Sequence, residues 1–391
     1  MSTSNRRVKD LLNLYDVAMG DIDLDSAPLF TSLKSIDDRY RESDFLIAGG
    51  MKRIYRVFDA VSERYVALAK LHENAPSEYY DSFIREARLT AKLEHPNIMT
   101  IHDIGVIDNE MPYFTMELKT GGTLDDILQK RKNGDESYLE KYPREQLLEV
   151  FLKVCDAISF AHSKGVIHLD LKPANIQVGD FGEVLVCDWG LGKVIGVDND
   201  TLDSVVFNSD MLNDMTLHGH IKGTPGYMAP EQIKEGGVKN KQTDIYALGC
   251  ILYTILTDEC PVSGKTAEKL DMVSKGQIQA PQQRAPAKDV PLALSAVTMK
   301  AMSFNSEERY GSVEGLGREV HKYMAGFATQ AEDAGIGKQI SLFWQRNKQV
   351  CSILLLSLAL IVGVISFSVL QLKASRDAAL EAQLEAEKNL D

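Results

Sequence analysis

Residues 168–175 read His168-Leu169-Asp170-Leu171-Lys172-Pro173-Ala174-Asn175, and a second short run, Asp188-Trp189-Gly190, follows after two apolar runs split by a turn-like segment. An aspartate, a lysine, an asparagine and a second aspartate thus stand in fixed order and spacing, and the spacing carries as much information as the letters. A polar loop beside a strand is the plain alternative, but further runs line up with these two. Gly223-Thr224-Pro225-Gly226-Tyr227-Met228-Ala229-Pro230-Glu231, Thr243-Asp244-Ile245-Tyr246-Ala247-Leu248-Gly249 and Glu308-Arg309-Tyr310 come later in the chain. Phe83-Ile84-Arg85-Glu86-Ala87-Arg88 comes earlier, ahead of a turn-like His95-Pro96-Asn97-Ile98.

In letters and order, the span from about Tyr40 to Gly326 resembles the protein kinase family, in the style of the bacterial transmembrane serine/threonine (Hanks-type) kinases. The resemblance implies an α+β, two-lobed fold: a small antiparallel sheet with one helix, then a mainly helical lobe. It implies ATP and Mg²⁺, with Mn²⁺ as a second option, and protein substrates bearing Ser or Thr hydroxyls. Asp170 would accept or orient the proton of the attacking hydroxyl, Lys172 would steady the transferred phosphoryl group, and Asn175 and Asp188 would hold the metal. Glu231 would end the activation segment and pair with Arg309, while Asp244 would anchor the catalytic loop. Thr224 would lie where substrate is received, and Lys172, two residues after Asp170, resembles the serine/threonine rather than the tyrosine branch. Ala67 would line the adenine pocket and Met116 would guard it. Glu117, Leu118 and Lys119 would offer backbone donors and acceptors to the base.

The match breaks at the nucleotide lysine. The family stretch Val-Ala-Ile-Lys reads Val66-Ala67-Leu68-Ala69-Lys70, so Ala69 occupies the lysine position and Lys70 comes one residue late. Strand side chains alternate, so Ala67 and Ala69 share a face and Lys70 takes the other, unless a bulge resets the register. The glycine-rich loop is altered too: Ile47-Ala48-Gly49-Gly50-Met51-Lys52 keeps the middle glycine at Gly49, helped by Gly50, and replaces the third with Lys52. This resembles the With-No-Lysine kinases, in which a lysine on the adjacent strand reaches the same phosphates. Lys52 is therefore expected to bind phosphate and to pair with Glu86; a solvated Lys52 beside a defective site is the alternative. Leu169 replaces the arginine that commonly docks an activation-loop phosphate. Trp189 replaces the phenylalanine of Asp-Phe-Gly and reads as core packing.

The formal charge of −13 argues against nucleic acid as main partner. Five cysteines form no Cys-x-x-Cys or Cys/His cluster and read as free thiols of a reducing compartment. Residues 1–41 carry no secretory signal and suggest a short helix. The kinase domain is read over 42–326, with its sheet lobe at about 42–117 and helical lobe at about 118–326. Alternation predicts strands over 53–60, 64–71 and 111–118; helical periodicity predicts 78–93, 144–164, 241–257 and 290–302. The middle of 188–231 is loop-like, with Thr201, Ser204, Ser209 and Thr216 as candidate phosphoacceptors. After a juxtamembrane linker at 327–349, the uncharged run 350–370 is long enough to cross a bilayer, with Phe343 and Trp344 placed as interfacial anchors. Residues 371–391 read as a helical stalk able to dimerise and open to truncation. The chain is thus expected in the inner (plasma) membrane as a single-pass protein with its kinase domain on the cytoplasmic side, where ATP is. A nucleotide-binding pseudokinase scaffold, or a receptor acting only by dimerising, are the competing functions.

Overall fold

The computed structural model describes residues 38–48, 52–73, 75–107, 111–194 and 224–388, with side chains to residue 382. Its packing divides the chain into two units, Met1–Ile127 with Phe160–Gly223, and Leu128–Ser159 with Thr224–Asp391.

The first unit holds a five-stranded antiparallel sheet of β1 (Tyr40–Ala48), β2 (Lys52–Asp59), β3 (Arg64–Leu71), β4 (Ile101–Ile107) and β5 (Met111–Met116), in the order β1-β2-β3-β5-β4. Helix α1 (Tyr80–Ala91) packs on one face. It is shorter than the periodicity predicts because Ser77–Tyr79 form a separate 3₁₀ turn before it. Lys52 pairs with Leu71, Ile54 with Ala69 and Arg53 with Lys70, with no bulge along the β2–β3 ladder. Paired residues share a face. Ile54, Ala69, Leu71 and Phe114 therefore lie against Phe83 and Ala87 of α1. Val57, Val66 and Leu68 cluster on the opposite face with Tyr55 and Tyr113. Strand β5 stops at Met116 rather than running to Leu118, and the Glu117 N–H donates instead to the Thr100 carbonyl at 3.2 Å. The β2–β3 turn is fixed by Asp59, which accepts from the Val61 N–H (3.1 Å) and the Ser62 hydroxyl (2.8 Å) and is bound by Arg39.

Two small ladders complete this unit. Strands β6 (Gly122–Thr123), β8 (Ile176–Val178) and β9 (Val184–Val186) pair in the order β6-β8-β9, and β7 (Val166–Ile167) pairs with β10 (Lys193–Val194). They bracket the loops that carry Asp170 and Asp188.

The helices include α2 (Leu124–Lys132), α3 (Glu136–Lys141), α4 (Arg144–Ser163), α5 (Pro230–Ile233), α6 (Lys241–Thr257), α7 (Thr266–Ser274), α8 (Pro281–Arg284), α9 (Leu292–Ala301) and α10 (Val313–Met324). Helix α6 is apolar on all sides and buried from Thr243 to Thr257, as a central core helix should be. Asn240 caps it by accepting from the Gln242 N–H at 3.0 Å, and Asp258, with φ +54°, ends it. Asp258 is held there by Arg131 and Lys288. The linker read over 327–349 contains a helix of its own, α11 (Ile336–Arg346). Only Asn347 separates α11 from α12 (Lys348–Lys388), which contains the expected apolar run. The stretch Lys348–Ala382 of α12 is long and apolar enough to cross a membrane, and its most apolar 18 residues are not buried by any other described part of the chain. All five cysteines are free thiols.

Candidate active site

Lys52 opens β2 on the face it shares with Ala69, and its ammonium turns beneath the sheet, 5.9 Å from the centre of the Phe114 ring. There it forms an ion pair and hydrogen bond with Glu86 of α1, and a second with Asp188 at 3.2 Å. Lys70 lies on the opposite face, with its ammonium 4.8 Å from the centre of the Tyr55 ring. Ala69 is completely buried. Burial alone would discharge Lys52, but the two carboxylates outweigh it and raise its pKa above the usual lysine range. Glu86 is pushed up by burial, with the like charge of Asp188 adding to this against the pull of Lys52. Asp188 is also raised by burial, yet Lys52 wins and holds it below the usual carboxylate range. The site therefore carries a fixed positive charge flanked by one largely buried and one accessible carboxylate. Gly190 allows this closeness: a Cβ there would meet the Glu86 carboxylate at 3.1 Å.

The catalytic-loop residues gather around Asp170. Lys172 donates to Asp170 Oδ2 at 2.8 Å. Asn175, at the end of a 3₁₀ turn over Pro173–Asn175, uses its amide NH₂ on the Asp170 carbonyl (2.8 Å) and on Oδ2 (3.3 Å). That leaves the Asn175 amide oxygen as its remaining acceptor. His168 joins this loop to the Asp188 loop. Its Nδ1 accepts from the Asp170 N–H at 3.3 Å, which places its proton on Nε2, 3.2 Å from the Cys187 carbonyl. Its ring packs on Trp189 with centroids 4.5 Å apart, and Trp189 is buried. The Cys187 thiol is pushed up to about 12 by burial and the neighbouring Asp188 charge. Leu169 and Asp188 both take left-handed backbone, with φ of +67° and +63°. The bridging role of His168 was not legible in the sequence, although its place two residues before Asp170 was the available signal.

At one end of the β3–β5 ladder, Ala67 pairs with Met116. Of the backbone groups expected to meet adenine, the Glu117 N–H is used on the Thr100 carbonyl, which leaves Glu117 its carbonyl. The Lys119 ammonium meets the Glu117 carboxylate at 2.6 Å and that of Glu183 at 3.8 Å. Gly49 and Gly50 lie outside the described residues, as do Thr201, Ser204, Ser209 and Thr216.

Thr224 and Glu231 belong to the second unit. The Thr224 carbonyl accepts from the Tyr227 N–H at 2.8 Å. Glu231 is gripped bidentately by Arg309, at 2.7 and 2.9 Å, and accepts from the Thr243 hydroxyl at 2.9 Å. Arg309 also donates to the carbonyls of Ser303, Gln242 and Phe304, so all five of its N–H groups are used. Burial would raise Glu231, but Arg309 outweighs it and holds the carboxyl below its usual range.

Among the described residues no three His, Cys, Asp or Glu side chains cluster as a closed metal cage. The Asp188 carboxylate and the Asn175 amide oxygen are instead two hard oxygen donors. They suit a divalent cation that completes its shell with water and phosphate.

A protein kinase domain model matches residues 40–320. The chain is 35% identical over 320 residues to the serine/threonine-protein kinase PknD of Chlamydia pneumoniae, covering 80% of this chain and 34% of that protein. It is 36% identical over 305 residues to PknD of Protochlamydia amoebophila, covering 76% and 31%. For PknD of Chlamydia abortus the identity is 33% over 311 residues, covering 77% and 33%. The chain thus spans about a third of the length of these curated relatives.

Proposed function

This chain belongs to the protein kinase family, and we propose that it transfers the γ-phosphoryl group of ATP to serine or threonine hydroxyls of protein substrates. The observation that carries this reading is the ion-pair chain Glu86–Lys52–Asp188. It supplies a preorganised positive charge beside an accessible carboxylate, without any lysine at the Ala69 position. Lys52 is the phosphate-binding lysine in this reading, a relocation similar to that of the With-No-Lysine kinases, and Lys70 serves the outer face of the sheet.

The substrate hydroxyl gives its proton to Asp170 as its oxygen bonds to the γ-phosphorus and the bond from phosphorus to the departing ADP oxygen breaks. Lys172 and Asn175 both bind Asp170 Oδ2, which leaves Oδ1 to receive the hydroxyl. The same two contacts fix the carboxylate, so it needs no reorganisation when it takes the proton. His168 keeps this loop in register with Asp188. Asn175 and Asp188 would hold magnesium, which when bound neutralises the phosphate charge. The Glu117 carbonyl and the Lys119 backbone would receive adenine beside Ala67 and Met116, and Gly49 and Gly50 would cover the phosphates.

Helix α12 crosses the plasma membrane once in this reading, with the kinase domain on the cytoplasmic side where ATP is available. The end of α12, residues 371–388, serves in this reading as a stalk that can pair with a second copy. The deciding experiment is radiolabelled autophosphorylation with Mg²⁺ and with Mn²⁺, for the parent chain and Asp170→Asn. The variant should retain ATP binding and lose at least about 10²-fold in turnover, the usual scale of a positioned base. Equal turnover removes Asp170 from the mechanism, and a parent chain that binds ATP without transfer makes it a scaffold.

A further inference from the structure

The segment before α12 is fastened to the kinase domain at several points. Glu319 of α10 is buried and accepts from the backbone N–H groups of Gln330 (2.5 Å) and Ala331 (3.2 Å) and from Lys322 (2.9 Å). Glu332 accepts from the Thr329 N–H at 3.1 Å and pairs with Lys338 of α11. At the far end of α11, Arg346 donates to the Gly326 carbonyl at 2.7 Å and lies 3.7 Å from the centre of the Phe327 ring. Helix α11 is therefore tied at both ends to the segment 326–332, which Glu319 in turn ties to α10.

One stripe of this fastened helix is left uncovered by the described residues. Ile336, Ile340, Phe343 and Trp344 follow an i, i+4, i+7, i+8 spacing and lie on one side. They are 78%, 61%, 52% and 42% exposed. Phe327 is exposed beside them. A groove of about 720 Å³ runs along this side, lined by Phe327, Ile336, Ile340 and Phe343, with Lys322 and Arg346 at its edge. Residues 336–348 include Lys338, Arg346 and Lys348 and not one Asp or Glu, in a chain whose net charge is −13.

We propose that this face docks on the anionic headgroup layer of the membrane that α12 enters, seating the kinase domain on that leaflet. The inference rests on the spanning reading of α12. Continuity argues for it: only Asn347 intervenes between α11 and Lys348, and one residue advances the chain by at most ~3.6 Å. The uncharged run 349–372 is about 36 Å of helix against a hydrocarbon core of about 30 Å, so the span begins within about a turn of Gln349 and the last turn of α11 stands at headgroup depth. Because α11 is fastened to α10 through the segment 326–332, the domain follows it. A helix with aromatic and aliphatic residues on one side and cations without acids along it is suited to that layer. Each cation near an anionic surface strengthens partitioning about fivefold.

The test uses the full chain in lipid nanodiscs made with bromine-labelled acyl chains. The sequence holds two tryptophans, Trp189 and Trp344. A Trp344→Phe background therefore leaves only buried Trp189, and Ile336→Trp or Ser341→Trp is added to it. Ile336 lies roughly 17 Å of helix before Lys348, so only a helix lying flat brings it to the bilayer. Bromolipid should quench the tryptophan at 336 and spare the one at 341, which faces away. Quenching should be stronger with phosphatidylglycerol than with phosphatidylcholine alone, and Lys338→Gln with Lys348→Gln should erase that difference. Equal quenching at 336 and 341, or none at 336, overturns the docking. Quenching indifferent to headgroup charge overturns the anionic assignment. A tryptophan at 336 shielded from both bromolipid and aqueous iodide assigns the face to a second copy and overturns it too. Alkaline carbonate extraction separates the premises: release of the chain sinks the spanning reading and this one together, whereas retention without quenching at 336 sinks only this one.

Discussion

Replacing Lys52 and Lys70 one at a time by Met separates two lysines that compete for one role. Lys52 holds Glu86 and Asp188 together, and its ammonium is the positive charge within reach of both carboxylates. Lys52→Met deletes that charge from a partly dry site, where one preorganised electrostatic contact is worth about 10²–10³ in rate, or about 3–4 kcal/mol of barrier. Glu86, already pushed up by burial, would then take a proton rather than remain an unpaired buried anion. The variant should therefore stay folded while autophosphorylation falls by about 10²-fold or more and ATP affinity weakens. Lys70 loses only its stacking on Tyr55, worth about 0.5–1 kcal/mol of stability at such a site, and its turnover should stay within about twofold of the parent. Autophosphorylation and nucleotide affinity, measured side by side, decide. An inactive Lys70→Met beside a normal Lys52→Met would refute the strand register as the basis of the assignment. A stricter version puts Ala69→Lys into a Lys52→Gly background. Ala69 is fully buried opposite Phe114, so the new side chain must use the volume Lys52 vacates over that ring, and only partial recovery is expected.

Two further predictions concern stability. Arg309→Met leaves Glu231 and three carbonyls without their donor and should cost about 3–5 kcal/mol in urea unfolding, with Arg309→Lys restoring only part; a loss below about 1 kcal/mol would mean the pair is not structural. Asp59 is raised by burial, but Arg39, the Ser62 hydroxyl and the Val61 N–H pull it down to about 2 from 3.8. Its folded pKa lies below its unfolded one, so its contribution is complete above about 3.8 and fades as pH falls towards 2. Arg39 is two-fifths exposed and screened, which reduces the expected contribution to about 1 kcal/mol. The stability gap between the parent and Asp59→Asn should narrow over that window, and a constant gap would contradict the ion pair as its source.

Three of the five strands of the sheet, β2, β3 and β5, were legible because they alternate with a period of two, and the β2–β3 ladder holds its register without a bulge, whereas β1 and β4 were not read. The face of Lys70 could therefore be read from Ala67 and Ala69 alone. Helix α6 was legible because an uninterrupted apolar run of that length has to be a core helix. The engaged N–H of Glu117 was hidden because its partner, Thr100, lies before β4 and is brought near only by the fold. Helix α11 was missed for a different reason. Its apolar stripe covers only three turns and starts after Gly335, and the long run behind it dominates any hydropathy window.

Leu169 shows the limit most sharply, since its letter was legible and its backbone was not. Leucine in place of arginine signalled the loss of a phosphate dock, but nothing in the sequence marked a left-handed residue, which is uncommon for a bulky side chain. That conformation costs an L-residue roughly 1–2 kcal/mol, and the buried side chain returns about 1.5–3 kcal/mol by leaving water. The two terms can be separated with a pair of variants. Leu169→Ala removes the burial and keeps the strain; Leu169→Gly removes both. At an ordinary helical or extended position glycine is less stable than alanine by roughly 0.5–1 kcal/mol, because the unfolded chain gains freedom. At position 169 the order should reverse, with Leu169→Gly melting above Leu169→Ala even though both fall below the parent. Urea unfolding of the two variants at one pH is sufficient. If Leu169→Ala is the more stable, residue 169 carries no left-handed strain and the loop holds Asp170 by its side-chain contacts alone.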